Sequence, residues 1–251
     1  IENEFKEKFT NDITSTLQNL PKEIIKRQEV EALQNRMSSD EEKIRGHLRG
    51  FARTIPSFLM AYGDENLTLE NFDTYVDQDV FHEVTGITLD QFKYLRDGGE
   101  GFTGHLFDAP TFNEAILEFL RKKAELANYF EENKEDIFDY IPPQQTNQIF
   151  TPKKVVKRMV DELEKENPNI FSDSTKTYID LYMKSGLYIA ELIKRLYNNE
   201  SMKQQFPDDA ARLKHILENQ VYGFAPSAII YRIATNFIFG PIGDNVSTKN
   251  F

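Results

Sequence analysis

Three stretches of this chain repeat apolar residues at the spacing of an α-helix. Phe112, Ile116, Phe119, Leu120, Leu126 and Ala127 fall near one face of a segment running from Phe112 to Tyr129. Val155, Val156, Met159, Val160 and Leu163 form a second stripe, and Ile229, Ile230, Ile233 and Phe237 a third, in a helix started by Pro226. Recurrence at i, i+3, i+4 marks helices that bury one side. Between the second and third stripes lie two short apolar runs, Thr177 to Tyr182 and Gln220 to Phe224, with a helical pattern from Leu187 to Leu196 between them. Helix, strand, helix, strand, helix predicts a parallel sheet with crossover helices.

The first 140 residues carry no such alternation and read as helices. Glu29 to Arg36 is marked by Val30 and Leu33, with Pro21 as the opening signal. Gly63 to Asn66 is a turn, and Thr68 is placed to cap the helix that follows. Asp97-Gly98-Gly99-Glu100-Gly101 predicts a flexible break, and Arg121-Lys122-Lys123 falls on the wet side of its helix. The acidic run Glu131 to Asp136 ends this unit, and Ile141-Pro142-Pro143-Gln144-Gln145 predicts a stiff connector. The expected organisation is a helical region over residues 1–142 and an α/β region over 143–251, the latter the first half of a doubly wound, Rossmann-like sheet.

Composition narrows the classes. With 251 residues the chain can hold one large domain or two smaller ones. It begins at Ile1, which suggests a piece of a longer protein. No apolar run approaches the ~18 residues of a membrane span, and no leader pattern is present, so no membrane role is expected. Cysteine is absent, which excludes disulfides and thiolate-bound metals and fits a cytoplasmic protein. The four histidines, His47, His82, His105 and His215, lack metal-ligand spacing, so no metal site is predicted. A net charge of −11 argues against a surface that binds polyanions everywhere. Arg45, Arg49 and Arg53 nevertheless stand at i, i+4, i+8 on one helix face. That face is either a solvated surface or a stripe that contacts DNA phosphates.

The chemistry-bearing segments follow the connector. Thr151-Pro152 reads as N-cap and first residue of the helix bearing the second stripe. Lys154 stands where a capping box would put Glu or Gln, which leaves open amides and a positive dipole end suited to an anionic group. Asp180 ends the first strand, and Gly186 stands six residues on, at the start of a helix. In doubly wound sheets ligands bind outside the carboxyl ends of the strands, and glycine lets backbone approach them. Tyr222-Gly223 ends the second strand.

On these residues the chain resembles adenine-N6 DNA methyltransferases that use S-adenosylmethionine. Gln148 to Met159 is similar to the family's Phe-Thr-Pro segment. Tyr178 to Ile189 resembles its D-P-x-x-G-S-G-x-(F/L) turn, matched at Asp180, Ser185, Gly186 and Tyr188. Gln220 to Ala234 resembles its Y-G-(I/V)-(D/E) strand end. The resemblance implies that Phe150, Thr151, Pro152, Asp180, Ser185 and Gly186 frame the cofactor. It covers roughly residues 145–240. The helical region with its connector looks like the coupler of large single-chain restriction-modification enzymes, whose partners are DNA and the enzyme's own motor, nuclease and target-recognition parts.

The departures are specific. Lys184 replaces the family's first glycine, Leu181 the proline after the aspartate, and Ala225, or Phe224 one position earlier, the ribose-binding acid. Loss of that charge-assisted hydrogen bond is worth about 1.5–3 kcal/mol. The family's catalytic Asn/Asp-Pro-Pro-Tyr/Phe motif does not occur in the 251 residues. Asn167-Pro168-Asn169 and Pro142-Pro143-Gln144 read as structural, and Asp161-Glu162-Leu163-Glu164 as a wet helix face. No catalytic residue is therefore predicted here. Two functions stay open: the cofactor half of a methyltransferase, or an interaction module with a vestigial cofactor turn.

Overall fold

The computed structural model describes residues 26–32, 46, 48, 50–142, 149–243 and 246–251. Two compact units divide the chain, Ile1–Gly50 and Phe51–Phe251. In the first unit, residues 26–32 are helical and solvent-exposed. Pro21, residues 33–36, Arg45, His47 and Arg49 lie outside the described residues.

The second unit opens with helix α1 (residues 51–62), followed by α2 (Phe72–Tyr75), α3 (Gln78–Thr85), α4 (Leu89–Asp97) and α5 (Ala109–Leu126). Their amphipathic stripes converge on a phenylalanine core. Phe58, Phe72, Phe81 and Phe92 are wholly buried, and Phe51, Phe107 and Phe112 close around them with centroid separations of 5.2–6.3 Å. The connections are set by side-chain caps. Asp77 accepts the Asp79 and Val80 amides to start α3, and Thr88 with Gln91 forms a capping box on α4. Thr68 does not cap the next helix. Its amide instead donates to Asn71 Oδ1 at 2.7 Å, and Asn71 takes the N-cap position of α2. The expected break at Asp97–Gly101 is a tight reversal, with Gly99 and Phe102 exchanging backbone hydrogen bonds.

Arg121–Lys123 is expected mostly on the wet side, and Arg121 is exposed, but Lys123 departs from that expectation. Its ammonium donates to the Leu59 and Met60 carbonyls at 3.0 and 3.4 Å. These belong to the last turn of α1, where the Leu59 carbonyl also accepts the Gly63 amide at 2.9 Å, so a lysine from α5 adds a donor at that helix end. Burial holds its pKa below the ordinary lysine range.

The remaining elements are α6 (Lys153–Glu166), β1 (Tyr178–Asp180), α7 (Leu187–Asn198), α8 (Glu200–Gln205), α9 (Asp209–His215), β2 (Val221–Gly223) and α10 (Ala228–Phe239). β1 and β2 pair in parallel, Tyr178 with Val221 and Asp180 with Gly223. The strands are shorter than the apolar runs implied, but helix–strand alternation and parallel pairing are as expected. A mostly helical fold with a small parallel α/β part is what the described residues establish. The outer edge of β2 is taken by Asn250, whose carbonyl accepts the Gly223 amide at 3.1 Å and whose side chain donates to the Leu217 and Val221 carbonyls.

α7 lies under the sheet and buries Leu187, Ile189, Ala190, Leu192, Ile193 and Leu196. It grips α6 through Arg195, which pairs with Glu191 of its own helix and with Asp161 and Glu164 of α6. The Asp161–Glu164 face is therefore a helix–helix clamp rather than simply wet. α10 buries one apolar face and leaves Tyr231, Arg232 and Asn236 exposed. Ile229, Ile230, Ile233 and Phe237 are buried. Beyond them, Asn236 donates to the Ala61 carbonyl, Tyr129 Oη to the Ile238 carbonyl at 3.0 Å, and Phe138 packs edge-on to Phe237 at 5.0 Å. Residues 51–142 and the α/β part thus pack on each other through α10.

Candidate functional site

The turn from β1 into α7 is built by its own side chains. Asp180 Oδ1 accepts the Tyr182 amide at 3.0 Å, and Ser185 Oγ accepts the Leu187 amide at 3.3 Å. Two backbone bonds extend the strand pairing past the strands, Phe224 N–H to the Asp180 carbonyl at 2.9 Å and Met183 N–H to the Phe224 carbonyl at 2.8 Å. Gly186 then caps α7 at φ 83°, ψ −3°, in the left-handed region. A Cβ there would stand 3.2 Å from the Ala234 carbonyl oxygen and from Ile238 carbons. The glycine serves the backbone reversal and the close approach of α10 together.

α6 starts one residue later than its sequence suggests. Pro152, at φ −58° and ψ 143°, is the N-cap rather than the first helical residue, and its carbonyl accepts the Val155 and Val156 amides. Proline disfavours helical geometry in the preceding residue, so Thr151 remains outside the helix and does not cap it. The opening of α6 is also not free for any anion. Asp136 is buried, its Oδ1 accepts the Phe138 amide at 3.1 Å, and its carboxyl feels Lys153 at the start of α6. Burial raises its pKa above the ordinary carboxyl range, and Oδ2 closes no hydrogen bond.

A cleft of about 420 Å³ lies at the carboxyl end of β1, between that turn and α6. Its apolar walls are Val156 and Met159 of α6, Ile179 of β1 and Leu181. Its polar lining is Thr151, Asp180, Lys184 and Ser185, with Gly186, Tyr182 and Tyr188 completing it. Four of the six sequence-derived cofactor residues, Thr151, Asp180, Ser185 and Gly186, therefore meet in one cleft. Phe150 and Pro152 are not among its lining. Phe150 packs on Phe138 at 5.0 Å, and Gln148 lies outside the described residues. Gly223 also has a packing role: a Cβ there would meet Met183 Sδ at 2.6 Å and the Phe251 ring at 3.0 Å. Of the arginine stripe only Arg53 is described, and it is exposed.

Lys184, which departs from the resembled turn, also lines this cleft. Its ammonium donates to the Ile149 carbonyl at 3.3 Å and lies 5.7 Å from the Tyr182 ring centroid. The link joins the β1–α7 turn to the segment before α6, a contact with no local signature in the sequence.

Burial raises the pKa of Asp180, opposed only by the Tyr182 amide. Tyr188 is raised as well, by burial and then by the Asp180 charge. A carboxyl with a raised folded-state pKa favours the fold below its unfolded value of about 3.9, and this contribution is lost as pH rises through the folded value. Asp180→Asn keeps the Oδ1 acceptor and removes the half-buried charge. Urea denaturation should find it more stable than the parent at pH 7, with the difference gone near pH 3. An equal difference at both pH values would refute the charge as the cause.

Over 93 residues the chain is 28% identical to a Mycoplasma pneumoniae protein described as an uncharacterized adenine-specific methylase. The match takes in 37% of this chain and 22% of that protein, so the chain spans about a fifth of its relative's length. This supports a methyltransferase relation. No protein-family model matches the chain, and no solved structure does. Among the described residues, no cluster of His, Cys, Asp and Glu is arranged to hold a metal ion, and no helix is long and apolar enough to cross a membrane.

Proposed function

We propose that residues 143–251 form the S-adenosylmethionine side of an adenine-N6 DNA methyltransferase, and that residues 1–142 couple it to the other parts of a restriction-modification enzyme. The observation that carries this reading is the cleft at the carboxyl end of β1, where Thr151, Asp180, Ser185 and Gly186 converge. Its volume falls in the range of small-molecule sites. The donor set suits the amino-acid end of this cofactor: Asp180 accepts from an ammonium, Lys184 faces a carboxylate, and Met159, Val156 and Ile179 cover apolar surface. The cofactor supplies an electrophilic methyl group when bound. The chain holds and orients it. The adenine that receives the methyl, and the polar groups that grip it, belong to DNA and to an Asn/Asp-Pro-Pro-aromatic motif this chain does not contain.

Calorimetry with S-adenosylhomocysteine tests the reading. Saturable binding to the 251-residue chain is the expected result, together with no methylation of DNA by the chain alone. A second reading, an interaction module whose cofactor turn is vestigial, draws on the end of β2, where Phe224 and Ala225 offer no carboxylate to a ribose. Absence of binding at millimolar ligand would favour it.

A further inference from the structure

We propose that Lys184 is a specificity residue of the cleft, which swings from the Ile149 carbonyl onto the carboxylate of an amino-acid-bearing ligand. The inference rests on the cofactor reading above and names what that site selects.

Three observations converge on it. Among the described residues, Lys184 forms no ion pair within 4 Å, although Asp180 lines the same cleft. Its hydrogen-bond acceptor is a neutral backbone carbonyl at 3.3 Å, long for an N–H···O bond. That carbonyl belongs to Ile149, which is 65% exposed, so water can replace the ammonium there at little cost. A carboxylate adds to such a hydrogen bond the Coulomb attraction of a full negative charge, which a neutral carbonyl cannot supply. A carboxylate entering the cleft therefore outcompetes Ile149 for Lys184.

Asp180 supplies the second half of the recognition. Its Oδ1 is held by the Tyr182 amide, which fixes the carboxylate at the end of β1. A fixed anion and a movable cation lining one cleft match a zwitterion, an α-amino acid group with its ammonium toward Asp180 and its carboxylate toward Lys184. The side chain that replaces a glycine in the resembled turn thus adds a contact that a glycine cannot make.

The test compares two ligands on the full 251-residue chain by calorimetry. One is S-adenosylhomocysteine; the other is S-adenosyl-3-thiopropylamine, which keeps the amine and nucleoside but lacks the carboxylate. The parent chain should prefer the first by about tenfold. Lys184→Met should lose about that factor for S-adenosylhomocysteine and leave the amine unchanged, so the preference vanishes. Lys184→Arg should retain it. Lys184 is half-buried and circular dichroism should show both variants folded. Equal binding of the two ligands to the parent, or equal weakening of both in Lys184→Met, overturns the proposal and leaves the cofactor reading standing. If neither ligand binds the parent at millimolar concentration, both fall.

Discussion

Phe72→Ala is expected to cost the fold about 3–5 kcal/mol, the range for emptying a buried phenylalanine site. Phe72 is wholly buried in a helix of only four residues, so α2 has little hydrogen bonding of its own to hold it. What fixes it is the ring, which meets Phe58 and Phe92 at 5.7 Å, Phe51 at 6.1 Å and Phe112 at 6.2 Å. Those partners come from α1, α4 and α5, and none can collapse into the cavity without losing a contact elsewhere. A small domain has roughly 5–15 kcal/mol of stability in total, so one substitution removes a large share. Urea denaturation followed by circular dichroism measures it. Phe72→Leu, which refills most of the volume, should lose much less. A loss below about 1 kcal/mol for the alanine variant, the middle of the range for ordinary substitutions, would mean the cluster is not a rigid core.

Of that core only Phe112 stood in an apolar stripe read from the sequence, the one that marks α5. α6, α7 and α10 were legible too, because apolar stripes at helical spacing are local signals. Val156 and Val160 are buried as the stripe requires, but Val155 and Met159 of the same stripe are 47% and 53% exposed. Met159 faces the cleft instead, so spacing alone counted a site residue as core. The candidate site was legible only where a backbone conformation demands a residue type. Gly186 in the left-handed region and the Asp180 turn are of that kind. Lys184 and Lys123 were not, because each acts through a partner with no sequence relation to it. Lys123 reaches a carbonyl 64 positions away and Lys184 one 35 positions away. A long side chain with an apolar stem can cover apolar surface and still bring its charge to such a partner, so a polar residue in a helix pattern does not mark a wet face.

Gly186→Val should damage both the fold and the cleft, and a matched substitution separates the two causes. Gly186 and Gly86 share a left-handed backbone, at φ 83° and 75°. A β-branched residue is a strong outlier there and costs on the order of 1–3 kcal/mol at either position. Their surroundings differ. A Cβ on Gly86 has no atom within 4 Å, whereas one on Gly186 meets the Ala234 carbonyl oxygen and two Ile238 carbons at 3.2 Å. Overpacking a site of this kind adds roughly 1–3 kcal/mol. Gly186→Val should therefore be less stable than Gly86→Val by about that amount in urea titrations. The strain also has a direction. α10 is tied by Tyr129, which donates to its Ile238 carbonyl, and by its own Asn236, which donates to the Ala61 carbonyl, so the start of α7 is expected to move rather than α10. That movement pulls Ser185 from the Leu187 amide and shifts the turn carrying Asp180 and Lys184. Gly186→Val should accordingly lose S-adenosylhomocysteine binding while Gly86→Val, on the far end of α3, keeps it. Equal stability losses would show that the left-handed backbone alone requires glycine at 186. Retained binding in Gly186→Val would show that the cleft does not depend on how closely α7 and α10 approach.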